Sequence, residues 1–213
     1  MSRPESDRMR HKKQAKRAAI LEAALREFTD NGFADARLSA VARNAGVAKG
    51  TLYLYFDSKE KLFEGVVRET LLPSGEEGII SDNPHHLSTE AFRRSMLASV
   101  ADLQNSGRSG IALVVLTEGR QFPQLVEIYV NAVLEPVLAQ IDRLAHSDDT
   151  ARLDVLRRFP QLLIAPVIAG LLWNRFMTGY PPIDLVDIAS AQLALVLGDE
   201  AASNTAESNE IMD

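Results

Sequence analysis

At 213 residues with 46% hydrophobic content, the chain is long enough to bury a substantial core, which excludes fibrous and disordered classes and leaves one globular unit or two small domains. It contains no cysteine, so disulfides, thiolate metal sites and cysteine nucleophiles are excluded and a reducing compartment, by default the cytoplasm, is expected. The net charge of −6 hides a split: residues 1–70 carry 14 Lys and Arg against 10 Asp and Glu, all six lysines lie at or before Lys61, and the remainder balances at −10. A basic head on an acidic body is the distribution expected when the head meets a polyanion.

The first 17 residues, MSRPESDRMRHKKQAKR, are basic and lack the apolar stretch of a secretory signal, and no later stretch has the length of a membrane span. Residues 1–13 read as a flexible basic arm. Arg8, Arg10, Lys12, Lys13, Lys16 and Arg17 could lie along phosphates or enter a minor groove, or form a solvated tail. In QAKRAAILEAALREFTDNG, residues Ile20, Leu21, Ala24, Leu25 and Phe28 recur at helical spacing, and Asn31-Gly32 supplies a stop. A second stripe, Leu38, Val41, Ala42 and Ala45, predicts a helix of two turns ending at Gly46, which can take the left-handed conformation common at helix ends.

After Val47-Ala48-Lys49 a third helix can begin at Gly50. Asp57-Ser58 precedes a fourth, KEKLFEGVVRETLL, with Asp57 and Glu60 at capping-box spacing. Residues 73–87, rich in Gly, Ser, Asn and Pro, read as a linker that closes a domain over 14–72. Beyond it helices are predicted over 88–106, 109–119, 123–145, 151–178 and 184–197, forming a second domain over 88–198 with a polar tail over 199–213. Pro123 and Pro160 suit first-turn positions, whereas Pro136 and Pro166 sit inside apolar patterns and should kink them. The fold class is all-α, with about nine helices in total.

Two helices joined by a short turn containing glycine form a helix-turn-helix when the second carries groups that reach phosphates and bases. In AGVAKGTLYLYF, residues 45–56, steps of 100° put Leu52 and Phe56 on an inward face and Gly50, Thr51 and Leu54 outward, towards a major groove. Tyr53 and Tyr55 fall on the flanks, where hydroxyls can meet phosphate oxygens, and Lys49 can reach phosphate or guanine. A helical hairpin whose aromatics merely fill a core would account for Leu52 and Phe56. It leaves Lys49, Tyr53 and Tyr55 without a reason. Arg43 projects from the outer face of helix two, towards a DNA backbone or into solvent.

The stretch RAAILEAALREFTDNGF, then LSAVARNAGVAKGTLYLYFDSKEKLFEGVV, resembles the DNA-binding domain of the TetR (tetracycline-repressor) family over about residues 14–67. The resemblance implies an all-helical homodimer in which Lys49, Thr51, Tyr53 and Tyr55 contact DNA and Lys59 pairs with a phosphate. It departs at Ala36 and Arg37, where the family usually has a Thr-Thr pair. Arg37 can replace the phosphate contact by charge, Asp35 or Ser39 can supply a capping oxygen, and Ser39 is itself a candidate contact.

The resemblance also implies a C-terminal domain for ligand binding and dimerisation. Its apolar helices suit a hydrophobic effector, with Phe92, Met96, Tyr129, Val133, Ile168 and Trp173 expected nearest to it. The last two helices would form the dimer contact through Leu171, Arg175, Leu185, Ile188, Gln192 and Leu195, pairing two recognition helices about 34–36 Å apart over a near-palindromic operator. The function expected is a DNA-binding regulator, a repressor released by a small molecule; a constitutive DNA-binding protein is the alternative. An α-helical enzyme is set aside, because His11, His85, His86 and His146 have no zinc-type spacing and neither a P-loop nor a G-x-S-x-G is present. No cofactor or metal is expected.

Overall fold

A computed structural model describes residues 3–70, 88–147 and 151–198, and no strand occurs among them. The helices are α1 (Arg3–Asp35), α2 (Leu38–Asn44), α3 (Lys49–Tyr53), α4 (Lys59–Thr70), α5 (Thr89–Asn105), α6 (Ser109–Glu118), α7 (Pro123–Tyr129), α8 (Glu135–Ser147), α9 (Ala151–Arg158), α10 (Ala165–Phe176) and α11 (Leu185–Leu197). The linker expected over 73–87, the tail over 199–213 and the first two residues of the arm lie outside the described residues.

The arm is helical from Arg3 onward and continuous with the first helix. Nothing between Glu5 and Asn31 interrupts it, since neither glycine nor proline occurs there. The expected stop is where the pattern put it: Gly32 takes φ 74° and breaks the helix, leaving one short turn to Asp35. Arg17 departs from its place among the phosphate-seeking cations. It pairs with both carboxylate oxygens of Glu69 on α4 and lays its guanidinium 4.5 Å from the Phe56 ring centroid, so it binds the helices together.

The chain divides into two compact units. The first holds α1 to α4 together with residues 105–134, so the division differs from the sequential one drawn at the linker. Its core explains why. Phe28, Phe33 and Phe63 of α1 and α4 pack edge-on or stacked with centroids 5.4–5.7 Å apart, and Phe122, just before α7, joins them at 5.0 Å from Phe33. Ile111, Val114, Val115, Leu125 and Ala132 complete the same core. Gly110 lets α6 approach α1, because a Cβ there would run into Thr29.

The predicted helix over 123–145 is interrupted by a π-helical segment, Val130–Leu134. It directly precedes Pro136, whose ring would crowd the carbonyl four residues back in a regular helix. Pro123 does take a first-turn position.

The second unit holds α5 and α8 to α11. The helix expected over 151–178 is three pieces: α9, a 3₁₀ turn over Pro160–Leu163, and α10. Pro160 opens the turn, the first-turn position expected of it, and Pro166 sits in the first turn of α10, so a break stands where a kink was expected. Helix α11 is gripped at both ends by α5. Gln104 accepts from the Leu185 amide and donates to Asp184, which caps the helix on Val186 and Asp187, while Arg93 donates to the Gly198 carbonyl at 2.6 Å. The Gln104 amide, followed by the Asp187 and Val186 amides, holds the Asp184 carboxyl below the usual range.

Candidate nucleic-acid interface

Ala45 caps the end of helix α2, and Gly46 turns the chain with φ 67° while the Val47 amide returns to the Ala42 carbonyl at 2.9 Å. Ala48, in extended conformation, then opens α3. The turn aims α3 so that Leu52 and Phe56 are buried in the core and Leu54 is 84% exposed, Tyr53 42%. Lys49 and Gly50 are exposed and Thr51 half-buried. A Cβ on Gly50 would meet nothing within 4 Å, so no internal contact demands glycine there. The position is bare on the outward surface, which suits close approach by another molecule.

The two tyrosines differ. Tyr55 is half-buried and packs against the core cluster, whereas Tyr53 stands out from it. Arg37, Ser39 and Arg43 are exposed on and beside α2, and Ala36 is buried.

Helix α2 begins without a side-chain cap, so neither Asp35 nor Ser39 supplies the expected oxygen. The turn before it is held by carboxylates from elsewhere: Glu27 of α1 accepts from the Arg37 amide at 2.9 Å, and Glu118 of α6 accepts from the Phe33 and Ala34 amides at 2.9 and 2.7 Å. Neither glutamate was flagged by sequence pattern. Glu27 reads as a polar residue of an amphipathic helix, and Glu118 lies 84 residues beyond Ala34.

Lys59 donates to the Ala34 carbonyl at 2.9 Å and sits 4.8 Å from the Phe33 ring centroid, so part of its hydrogen-bonding capacity is already engaged inside the unit. Burial pushes its pKa down, opposed by Glu118, Glu60, Asp35 and Glu27. The cap of α4 is Ser58, whose hydroxyl accepts from the Lys61 amide at 3.2 Å; Asp57 does not take that place.

A helix-turn-helix with this exposed, basic-flanked second helix coincides with a family match: the sequence model described as bacterial regulatory proteins, tetR family, matches residues 20–66. Over those residues the chain carries the DNA-binding domain of the TetR family. The proteins that the chain resembles are regulators by name. The HTH-type transcriptional regulator UidR of Escherichia coli K12 is 27% identical over 127 residues, 59% of this chain and 62% of that protein. The fatty acid metabolism regulator protein of Bacillus subtilis 168 is 29% identical over 133 residues, 61% of this chain and 66% of that protein. The chain thus spans less than two thirds of the length of either relative.

Over 57 residues it is 49% identical to the HTH-type transcriptional regulator RutR of E. coli K12, 27% of each chain. Among solved structures of the TetR fold, the fatty acid degradation regulator FadR of Bacillus halodurans has a TM-score of 0.64 at 19% identity, covering 87% of this chain and 96% of that one. B. subtilis FadR in complex with stearoyl-CoA scores 0.60 at 21%, covering 86% and 99%. These likenesses are of fold.

The residues expected nearest an effector fall in both units. Phe92 and Met96 are buried on α5, and Ile168 and Trp173 are half-buried on α10, all in the second unit; Tyr129 and Val133 belong to the first, where they pack against its core. The Trp173 indole donates to the Pro181 carbonyl at 3.1 Å, and Asn174 makes two hydrogen bonds with the Ile183 backbone, so this end of α10 closes the connection to α11.

The stripe read as a dimer face does not all point outward. Leu171 and Leu185 are buried within the protomer, because Gly170 lets α11 pack closely on α10, where a Cβ would meet Leu185. Gln192 is half-buried and donates to the Leu162 carbonyl at 3.2 Å, and Ile188 is half-buried. Leu195 is 82% exposed, and Arg175 is exposed beside Phe176, Met177 and Tyr180. Among the described residues no group of three or more His, Asp or Glu is placed to hold a metal ion, and no helix is long and apolar enough to cross a membrane.

Proposed function

We propose that this chain is a cytoplasmic, homodimeric, sequence-specific DNA-binding transcriptional regulator and not an enzyme: a repressor released from a near-palindromic operator when a hydrophobic small molecule enters its C-terminal helices. The observation that carries the reading is the outward face of α3. An 84% exposed leucine between a lysine, a bare glycine and a protruding tyrosine is suited to a thymine methyl flanked by phosphates. Lys49, Gly50, Thr51, Tyr53 and Leu54 form the contact surface; Arg37, Ser39, Tyr55 and Lys59 serve its flanks through phosphate.

Dimerisation through α10 and α11 supplies the second reading head. Leu195, Phe176, Met177 and Tyr180 are exposed apolar groups on α10, on the segment after it and on α11, and a second copy would cover them. The effector is apolar, since Phe92, Met96 and Val100 of α5, with Ile141 and Leu144 of α8, give the second unit an aliphatic and aromatic interior. The name of the B. subtilis relative makes long-chain acyl compounds the first class to screen.

The test is a gel-shift titration at fixed salt, on a duplex recovered from a random-sequence pool by the wild-type protein. Tyr53→Ala and Lys49→Ala weaken binding with helix content unchanged; unchanged affinity overturns the assignment of α3. For the effector, acyl compounds and other apolar metabolites that bind only the folded state raise the melting temperature and release the duplex. Ligand-independent occupancy across a broad library points to a constitutive protein.

A further inference from the structure

The turn between Gly32 and α2 departs from regular helix, because Gly32 takes non-helical φ and ψ near the end of α1 and α2 begins only at Leu38. Three side chains hold it, each from a different helix. Glu27 of α1 accepts from the Arg37 amide, Lys59 of α4 donates to the Ala34 carbonyl, and Glu118 of α6 takes the consecutive amides of Phe33 and Ala34 on its two oxygens. Ala34 is therefore held by its N–H from α6 and by its carbonyl from α4. Gly32 makes room for the carboxylate, since any Cβ there would collide with it. Of the three, only Glu118 lies outside residues 20–66, the segment that matches the family's DNA-binding domain.

We propose that Glu118 is a positioning residue for DNA binding, acting through the Phe33–Ala34 turn to fix the start of α2 and the place of Lys59 relative to the recognition helix. The inference rests on the DNA-binding reading above. The carboxylate contributes charge-assisted bonds to two consecutive amides, and its charge counters the burial that pushes the Lys59 pKa down. Without it the turn has several accessible arrangements, and molecules that bind do so without a fixed Lys59 contact to phosphate, so affinity and its salt dependence fall together. The ammonium also loses its fixed position beside the phosphate it serves.

The experiment uses full-length protein, the duplex recovered by the wild type, and fluorescence anisotropy from 50 to 200 mM salt, with melting curves for each variant. Glu118→Ala is expected to bind about tenfold more weakly and, because one phosphate contact is lost, with a log K against log salt slope shallower by about 1. Glu118→Gln, which retains one acceptor oxygen, is expected to fall between the two. A purely structural role lowers the active fraction and leaves the slope unchanged, so weaker binding at wild-type slope overturns the proposal, as does wild-type affinity. Should Glu118→Ala melt below the assay temperature, Glu118→Gln decides by the same two readouts, wild-type values again overturning it. A wild-type protein that recovers no duplex overturns the DNA-binding reading itself, an outcome distinct from any of these.

Discussion

Gly32 and Glu118 occupy complementary space: the left-handed glycine leaves open the volume into which the glutamate carboxylate reaches to take two backbone amides. Gly32→Ala therefore meets two penalties, a φ near 74° that an L side chain rarely adopts and a collision with a hydrogen-bonded carboxylate. The first, at φ 74° with ψ 178°, costs about 1–3 kcal/mol. The second adds to it unless Glu118 withdraws and leaves both amides unpaired. A loss of about 2–4 kcal/mol in urea unfolding is expected, and a variant as stable as the wild type would show that the turn is not held as described.

Leu52 on α3 and Leu54, which caps its C-terminal end, lie two residues apart with opposite fates, one fully buried and the other 84% exposed. Leu52→Ala is expected to destabilise the first unit by about 2–5 kcal/mol. Leu54→Ala should leave the unfolding midpoint within about 0.5 kcal/mol of wild type and weaken binding to the selected duplex by about 1 kcal/mol or more. Equal effects of the two substitutions on stability would contradict the orientation of α3.

The helix-turn-helix was legible in the sequence because it is local: the inward Leu52 and Phe56, the outward Leu54 and the stop at Gly46 all follow from spacing within a dozen residues. The contacts that support it were not. Glu118 reaches back 84 and 85 residues to Ala34 and Phe33, and helical periodicity carries no information about which distant surface a carboxylate meets. For the same reason residues 105–134 read as part of the body, although Phe122 and Leu125 complete the core of the head. The apolar run across Pro160 and Pro166 reads as one long helix by composition, and only the missing amides and rings of the prolines divide it. Leu171 and Leu185 shared a face with Leu195 only at the resolution of a stripe; the close approach allowed by Gly170 put them inside.

Leu195 is 82% exposed near the end of α11, where a dimer face would cover it. Leu195→Asp places a charge in that face while disturbing nothing inside the protomer. Sedimentation at micromolar concentration is expected to show a dimer for the wild type and a shift towards monomer for the variant. Duplex binding should weaken with it, since a monomer presents one recognition helix to a two-part site. A variant that remains fully dimeric would move the interface elsewhere.

Gln140 is 3% exposed on α8, and its Nε2 has no hydrogen-bond partner among the described residues. A buried donor in that state costs about 1–3 kcal/mol of desolvation. Gln140→Met keeps the length of the side chain and removes the polar group. The melting temperature is expected to rise by about 2–4 °C per kcal/mol recovered, a direction unusual for a core substitution. A fall of similar size would mean that the amide is satisfied and stabilising.

Tyr129 packs against the core of the first unit, and burial pushes its phenol up to about 12 from an ordinary value of 10.0. The folded state favours the neutral phenol and the unfolded state ionises first. Stability is therefore intact below pH 10 and falls as pH rises from about 10 to about 12, by on the order of 2 kcal/mol at most. Tyr129→Phe cannot ionise and should remove that part of the alkaline loss. Urea midpoints for wild type and variant between pH 9 and 12 check this: the wild type falls relative to the variant as pH rises if the phenol is buried, and the two curves run parallel if it is in contact with water.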